Sequence, residues 1–213
     1  MRNSLEKISQ GGSQYRSLYI KFAIFLTLSL LITTAGTYVG SLIKIEPSKP
    51  VIWGYMIASI ALVVLFKMTE GLLKRLMFTL FCFGEGVILS LIVGIVTPTA
   101  LYGGLFATTM IVLAFSIIGM HVKRLDWLGG ILFGSLISFL GLAILSVFVH
   151  LPFLSYLGLG LFSVFVMYDV NKFKNDVLDG VCNSADGVID NVMELYLDMI
   201  NIFTFIIRIG SDD

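Results

Sequence analysis

Charge is what this chain has least of. Only 13% of its 213 residues are Asp, Glu, Lys or Arg, and 14 basic side chains balance 14 acidic ones. Soluble domains carry about 25% charged residues, so the polar surface a water-soluble globule needs is missing. The balance of sign also removes any electrostatic case for a nucleic-acid partner. Cysteine is nearly absent: Cys82 lies inside an apolar run and Cys182 in a polar stretch. Neither a disulfide framework nor a thiolate metal site is expected from two such residues. His121 and His150 fall at the ends of apolar runs on opposite sides, too far apart for a joint metal site. The polar N-terminus, Met1 to Arg16, has no short apolar core followed by a small-residue cleavage site. A removable signal peptide is therefore not expected, and the first apolar run reads as a retained span. No stretch could form a separate soluble domain, so residues 1–213 read as one transmembrane domain.

Apolar runs are what the chain has in excess. It is 57% hydrophobic, with a mean hydropathy of +0.97. A window of about 20 residues, the length that crosses a bilayer as a helix, marks the spans. Seven apolar segments fall near 18–42, 51–68, 76–97, 101–121, 128–149, 151–171 and 190–209. The expected fold is all-α, a polytopic membrane protein with seven transmembrane helices. Pro98 and Pro152 stand at segment edges, where proline opens or ends a helix. The longest connection is expected at 172–189. Gly36 with Gly40, and Gly130 with Gly134, form G-x-x-x-G pairs that let helices approach closely in lipid.

Basic residues orient the bundle. With the N-terminus inside, Arg2, Lys7, Arg16 and Lys21 are cytoplasmic, as are Lys67, Lys74 and Arg75, then Lys123, Arg124, Lys172 and Lys174. Only Lys44, Lys49 and Arg208 face the other side. This positive-inside bias places the N-terminus in the cytoplasm. An odd number of spans then puts the C-terminus outside a cytoplasmic (inner) membrane.

The last apolar run carries Asn191, Glu194, Asp198, Asn201, Phe205 and Arg208 at helical three- and four-residue steps. Such a stripe would not be tolerated by lipid, so protein or water must surround it. Asp169 closes the sixth span and is expected to neighbour Asp198 if the last two helices pack together. Two carboxylates in a low-dielectric setting cannot both ionise cheaply, so one keeps a proton. Asp169 could instead be an interfacial carboxylate beside Lys172, and Arg208 could snorkel to the outer interface. Glu85, flanked by Gly84 and Gly86 within the third span, is an intramembrane carboxylate and a candidate for the ion pathway or for structural pairing with Arg208. Glu194 and Asn201 are further pathway candidates.

Tyr168-Asp169 and Leu195-Tyr-Leu-Asp-Met-Ile-Asn-Ile-Phe203 resemble the signature of the Bax inhibitor-1 (transmembrane Bax inhibitor motif, TMBIM) family, and most its small bacterial members. The early Ser-Leu-Tyr-Ile-Lys-Phe run and the terminal Ser-Asp-Asp agree with it. The resemblance implies a seven-helix fold whose last helix is central and wrapped by the other six. It further implies a pH-gated calcium leak, with Asp169 and Asp198 as the di-aspartyl sensor and Ca²⁺ held there only transiently. Bacterial relatives carry an arginine near the end of the second helix that pairs with the first aspartate; here Lys67 or Thr69 stands at that place. A glutamate midway along the second span is also missing, leaving Glu85 to take over as a cation ligand.

The favoured function is a pH-sensitive calcium channel without enzymatic activity or cofactor. Its expected partners are the lipid bilayer, Ca²⁺ and protons, and its expected state is a monomer. An intramembrane aspartyl protease would also use a Tyr-Asp and a second aspartate, but that second aspartate usually follows Gly-x-Gly rather than Tyr196-Leu197. A non-conducting interaction protein of a stress or cell-death pathway is the third reading. A retinal-type receptor is disfavoured because the last helix has no lysine for a Schiff base.

Overall fold

The computed structural model describes residues 2–43, 49–146, 149, 151 and 153–211, and side chains within 15–43, 57–146 and 153–210 together with Gly54, Val149 and Leu151. His150 and Pro152 lie outside the described residues, as do the side chains of Lys44 and Lys49. Among the described residues every regular element is a helix. These are α1 (Arg2–Ile43), α2 (Lys49–Met68), α3 (Gly71–Val93), α4 (Pro98–His121), α5 (Asp126–Leu145), α6 (Leu154–Leu178) and α7 (Ala185–Ser211). Each of the seven apolar segments has become one helix. Among the described residues five helices, α1 and α3 to α6, are long and apolar enough to cross a membrane. The described apolar part of α2 is shorter, Ile57–Met68, and the polar stripe sets α7 apart.

Helix ends follow local chemistry. Thr97 caps α4 by accepting a hydrogen bond from the Ala100 N–H at 3.3 Å, with Pro98 in the first turn, where a missing N–H costs nothing. Gly71 and Gly180 take φ values of 61° and 75° at the α2–α3 and α6–α7 corners, a conformation glycine adopts without a Cβ penalty. The α6–α7 connection is a correction to the sequence reading. The expected 172–189 loop shrinks to residues 179–184, because α6 continues through Lys172 to Leu178 and α7 begins at Ala185. Hydropathy stops at residue 171, but the polar residues beyond it hydrogen-bond to protein and keep the helix going.

The chain divides into two compact units. The first holds residues 1–95 and 182–193. Here α3 packs on α1 and α2. At the α1–α3 contact the backbones touch. A Cβ on Gly36 would overlap the Phe83 carbonyl, and one on Gly86 would overlap the Thr33 carbonyl. The Thr33 hydroxyl donates to the Cys82 carbonyl at 3.2 Å across the same contact. The Gly36/Gly40 pair thus meets a helix, as expected of small residues in lipid. Gly130 and Gly134 do not: among the described residues no atom from outside the local helix backbone lies within 4 Å of a Cβ built on either.

Asp186 and Asp190, from the first turns of α7, bind the α2–α3 corner in this first unit. Asp186 accepts from the Gly71 N–H at 2.6 Å, placing a carboxylate at the positive N-terminus of α3. Lys74, 6% exposed, donates to Asp190 Oδ2 at 2.7 Å and lies 5.0 Å from the Phe66 ring centre.

The second unit holds residues 96–181 and 194–213. Here α6 packs on α4 and α5. Gly119 sits so close to α6 that a Cβ would overlap the Met167 carbonyl. Asn171, 1% exposed, staples the α4–α5 corner to α6. Its Nδ2 donates to the carbonyls of Gly119, Val122 and Lys123 at 2.7–2.9 Å, and its Oδ1 accepts from the Leu125 N–H at 3.0 Å. The carbonyls left open at the end of α4 thereby find donors without water. Arg124 adds an ion pair with Asp179.

Candidate functional site

The second unit contains a cleft of about 590 Å³ between α5, α6 and the C-terminal part of α7. Its polar end is lined by Tyr168, Asp169, Lys172, Glu194, Asp198 and Asn201. Helical spacing brings these together. Asp169 and Lys172 are three residues apart on α6, and Glu194, Asp198 and Asn201 step by four and three along α7.

Asp169 and Asp198 are 8% and 4% exposed, and their side chains hydrogen-bond to each other. A carboxylate only accepts, so this bond requires a proton between the two groups. The second oxygen of Asp198, Oδ2, is buried with no hydrogen-bond partner among the described residues. Glu194 interacts electrostatically with Asp198. It forms its own ion pair with Lys172, whose Nζ lies 2.6 Å from Glu194 Oε2, with both side chains about one-third exposed. The polar end thus holds two pairs side by side: one opposite in charge, the other two acids bound through a proton.

The other end of the cleft is aromatic. Phe139 meets Phe162 and Phe205 edge-on at 6.0 and 5.7 Å, and Phe162 stacks on Phe205 at 5.9 Å. Gly158 makes room, since a Cβ there would press on the Phe205 ring. The α7 stripe therefore changes character within the second unit, running from Glu194 through Asp198 and Asn201 to the apolar Phe205.

The remaining candidates lie elsewhere. Glu85 belongs to the first unit, half-buried, and its Oε1 accepts from the Ser59 hydroxyl at 3.3 Å. Lys67 is also in the first unit, with Nζ 3.6 Å from Asp190 Oδ1. Asp190 is a partner the sequence reading did not name. Arg208 is exposed and forms no ion pair among the described residues. Sequence reasoning also missed Ser59 as the contact of Glu85 and Lys172 as the counterion of Glu194. Lys172 was legible as the residue one turn after Asp169, but nothing in the sequence sets the rotation of α6 against α7. Among the described residues no cluster of three metal-ligating His, Cys, Asp or Glu side chains is present.

A chain whose described residues form only helices, five of them apolar and of membrane length, is a multi-pass membrane protein. Residues 16–211 match the model of the family described as Inhibitor of apoptosis-promoting Bax1, so the chain belongs to the Bax inhibitor-1 (TMBIM) family. That family is generally one of non-enzymatic membrane proteins, consistent with a channel-like role. Comparison with curated proteins finds no match.

Proposed function

We propose that the chain is a pH-sensitive calcium leak channel of the cytoplasmic membrane, gated by proton exchange at Asp169 and Asp198. In this reading all seven helices cross the bilayer with α7 at the centre, the N-terminus in the cytoplasm and the C-terminus outside. The observation that carries it is the side-chain hydrogen bond between these two buried acids on different helices. A proton between them joins α6 to α7. Its loss leaves two like charges in contact, whose repulsion in a low-dielectric site far exceeds that in water. The same two carboxylates, once freed, are hard oxygen ligands of the kind Ca²⁺ accepts, with the Asn201 amide one turn further along α7. Other titratable groups on the cleft do not substitute for the pair. Glu194 is matched by Lys172, and Tyr168 is the only other one lining it among the described residues. Glu85, which accepts from the Ser59 hydroxyl within a long apolar helix of the first unit, is a second candidate cation ligand.

The sign follows from the proton count: the latched form binds one proton more than the released form, so flux rises with pH. Purified protein in calcium-loaded proteoliposomes should show efflux that increases across the titration of the pair. Asp169→Asn and Asp198→Asn should each flatten the profile. A pH dependence unchanged in both variants would rule out the gate.

A further inference from the structure

The cleft holds a charge arrangement that points to a second kind of ligand. Lys172 brings one positive charge, 2.6 Å from Glu194 and also acting on Asp169, against the one negative charge of Glu194. Asp169 and Asp198 share one proton, which leaves one negative charge, and Asp198 Oδ2 is 4%-exposed territory with no hydrogen-bond donor. A buried acceptor of this kind costs free energy until a donor arrives. Directly beyond it the wall is aromatic, formed by Phe139, Phe162, Phe165 and Phe205. The rim is apolar and open, with Phe133 64% and Leu140 53% exposed. A volume of about 590 Å³ falls in the range of roughly 300–1,000 Å³ that holds small organic ligands.

We propose that this cleft binds a free hydrophobic amine, an organic monocation whose primary ammonium sits at Asp198 and whose apolar body lies among the phenylalanines. Each part has its complement. A primary ammonium carries three donors, so it reaches Asp198 Oδ2 and still has hydrogens for the Asn201 carbonyl. One positive charge matches the one net negative charge of the Lys172, Glu194, Asp169 and Asp198 cluster, whereas a neutral or anionic head would not. The aromatic wall receives apolar carbon, and ring faces attract a cation that slides past them. The inference does not depend on calcium conduction: binding is read directly, without ion flux.

The test uses the full chain in lipid nanodiscs, titrated with dansylcadaverine, a primary ammonium on an apolar tail whose emission rises in apolar surroundings. The signal of empty nanodiscs is subtracted. N-butyl dansylamide, equally apolar but lacking the ammonium, is the paired probe. A charge-assisted hydrogen bond in a buried site corresponds to about tenfold in affinity. The wild-type chain is therefore expected to bind dansylcadaverine saturably, one per chain, about tenfold tighter than N-butyl dansylamide. Asp198→Asn should bring the two probes within about twofold, while Phe139→Ala should weaken both together. Circular dichroism and size-exclusion profiles matching wild type establish that each variant is folded. Three results would overturn the proposal: emission that never saturates above empty nanodiscs, equal affinity of the two probes for the wild-type chain, or a folded Asp198→Asn that keeps the preference. The wild-type probe comparison needs no variant, so a failure of Asp198→Asn to fold leaves the proposal exposed to refutation.

Discussion

Lys74 gives the sharpest stability prediction, because its ammonium is held out of water by a single close carboxylate. Its side chain is 7% exposed and sits 2.7 Å from Asp190 Oδ2, while Asp190 itself is 31% exposed. Breaking a fully buried pair by removing one partner costs about 3–5 kcal/mol. Here only the lysine is fully desolvated, which brings the expected cost of Asp190→Asn down to about 2–3 kcal/mol. Lys67, 3.6 Å from the other carboxylate oxygen, adds to the loss because its charge then faces Lys74 without an intervening anion. The Phe66 ring at 5.0 Å does not rescue the ammonium, since a cation–π contact supplies only about 0.5–2 kcal/mol and is already present. For a chain of 213 residues each kcal/mol moves the midpoint by about 2–4 °C, so Asp190→Asn should melt about 4–12 °C lower. Lys74→Met behaves differently. It removes the buried charge together with its need for a partner, and Asp190 keeps Lys67 and solvent, so the midpoint should fall by less than about 3 °C. The double variant should then be more stable than Asp190→Asn alone. The assay is thermal unfolding of detergent-solubilised protein, followed by intrinsic fluorescence and by the monodisperse fraction after heating. If Asp190→Asn melts within 2 °C of wild type, or if Lys74→Met is equally damaging, the buried-charge argument is wrong.

Further outcomes follow from the packing. Gly86→Ala should cost about 1–3 kcal/mol in the same melts, because the new methyl overlaps the Thr33 carbonyl, whereas Gly84→Ala, which meets nothing within 4 Å, should be neutral or slightly stabilising. Asn171→Leu leaves the Gly119 carbonyl and the Leu125 N–H without their shared partner, while Lys174 still reaches the Val122 and Lys123 carbonyls, and should lower stability by about 2–4 kcal/mol, measured as loss of folded protein on size exclusion after heating. Glu194→Gln strands the Lys172 ammonium beside Asp169 and Asp198, and should stabilise their ionised form. The efflux profile of the proteoliposome assay is then expected to shift to lower pH, and an unshifted profile would contradict the placement of Lys172.

The helices were legible because hydropathy over a bilayer-length window is a strong signal, and each of the seven windows became one helix. Their ends were less so. The reading stopped α6 near residue 171 and opened α7 at 190, since hydropathy reports where apolar side chains cease, not where backbone hydrogen bonds do. Asn171, Lys174 and Asn175 look like loop residues by composition. In the structure they donate to backbone carbonyls at the α4–α5 corner and to one another, and so belong to the helix. The site divides in the same way. Spacing put Glu194, Asp198, Asn201 and Phe205 on one face of α7, and they line one cleft. Periodicity fixes which residues share a face of their own helix. It is silent about the rotation of one helix against the next, and that rotation pairs Lys172 with Glu194 and Ser59 with Glu85.

That rotation explains why the two side-chain pairs of the cleft differ in chemistry although they sit one turn apart. Glu194 lies one turn nearer the N-terminus of α7 than Asp198, level with Lys172 on α6, and both side chains remain about one-third exposed. An ion pair in that setting is screened and changes little with its surroundings. Asp198, one turn deeper and 4% exposed, meets Asp169 instead, with Lys172 acting on Asp169 only through the field of its charge. Solvent cannot screen charge there, so a small ligand, a proton or a cation, decides the energy of the contact. The outer pair thus joins α6 to α7 through opposite charges, and the inner pair is free to respond. Tyr168 lines the cleft next to Asp169, so Tyr168→Lys would bring a cation beside Asp169, replace the shared proton, and lock the contact. Such a variant should pass calcium at a low, pH-independent rate, and efflux that still rises with pH in the folded variant would show that the inner pair is not the element that responds.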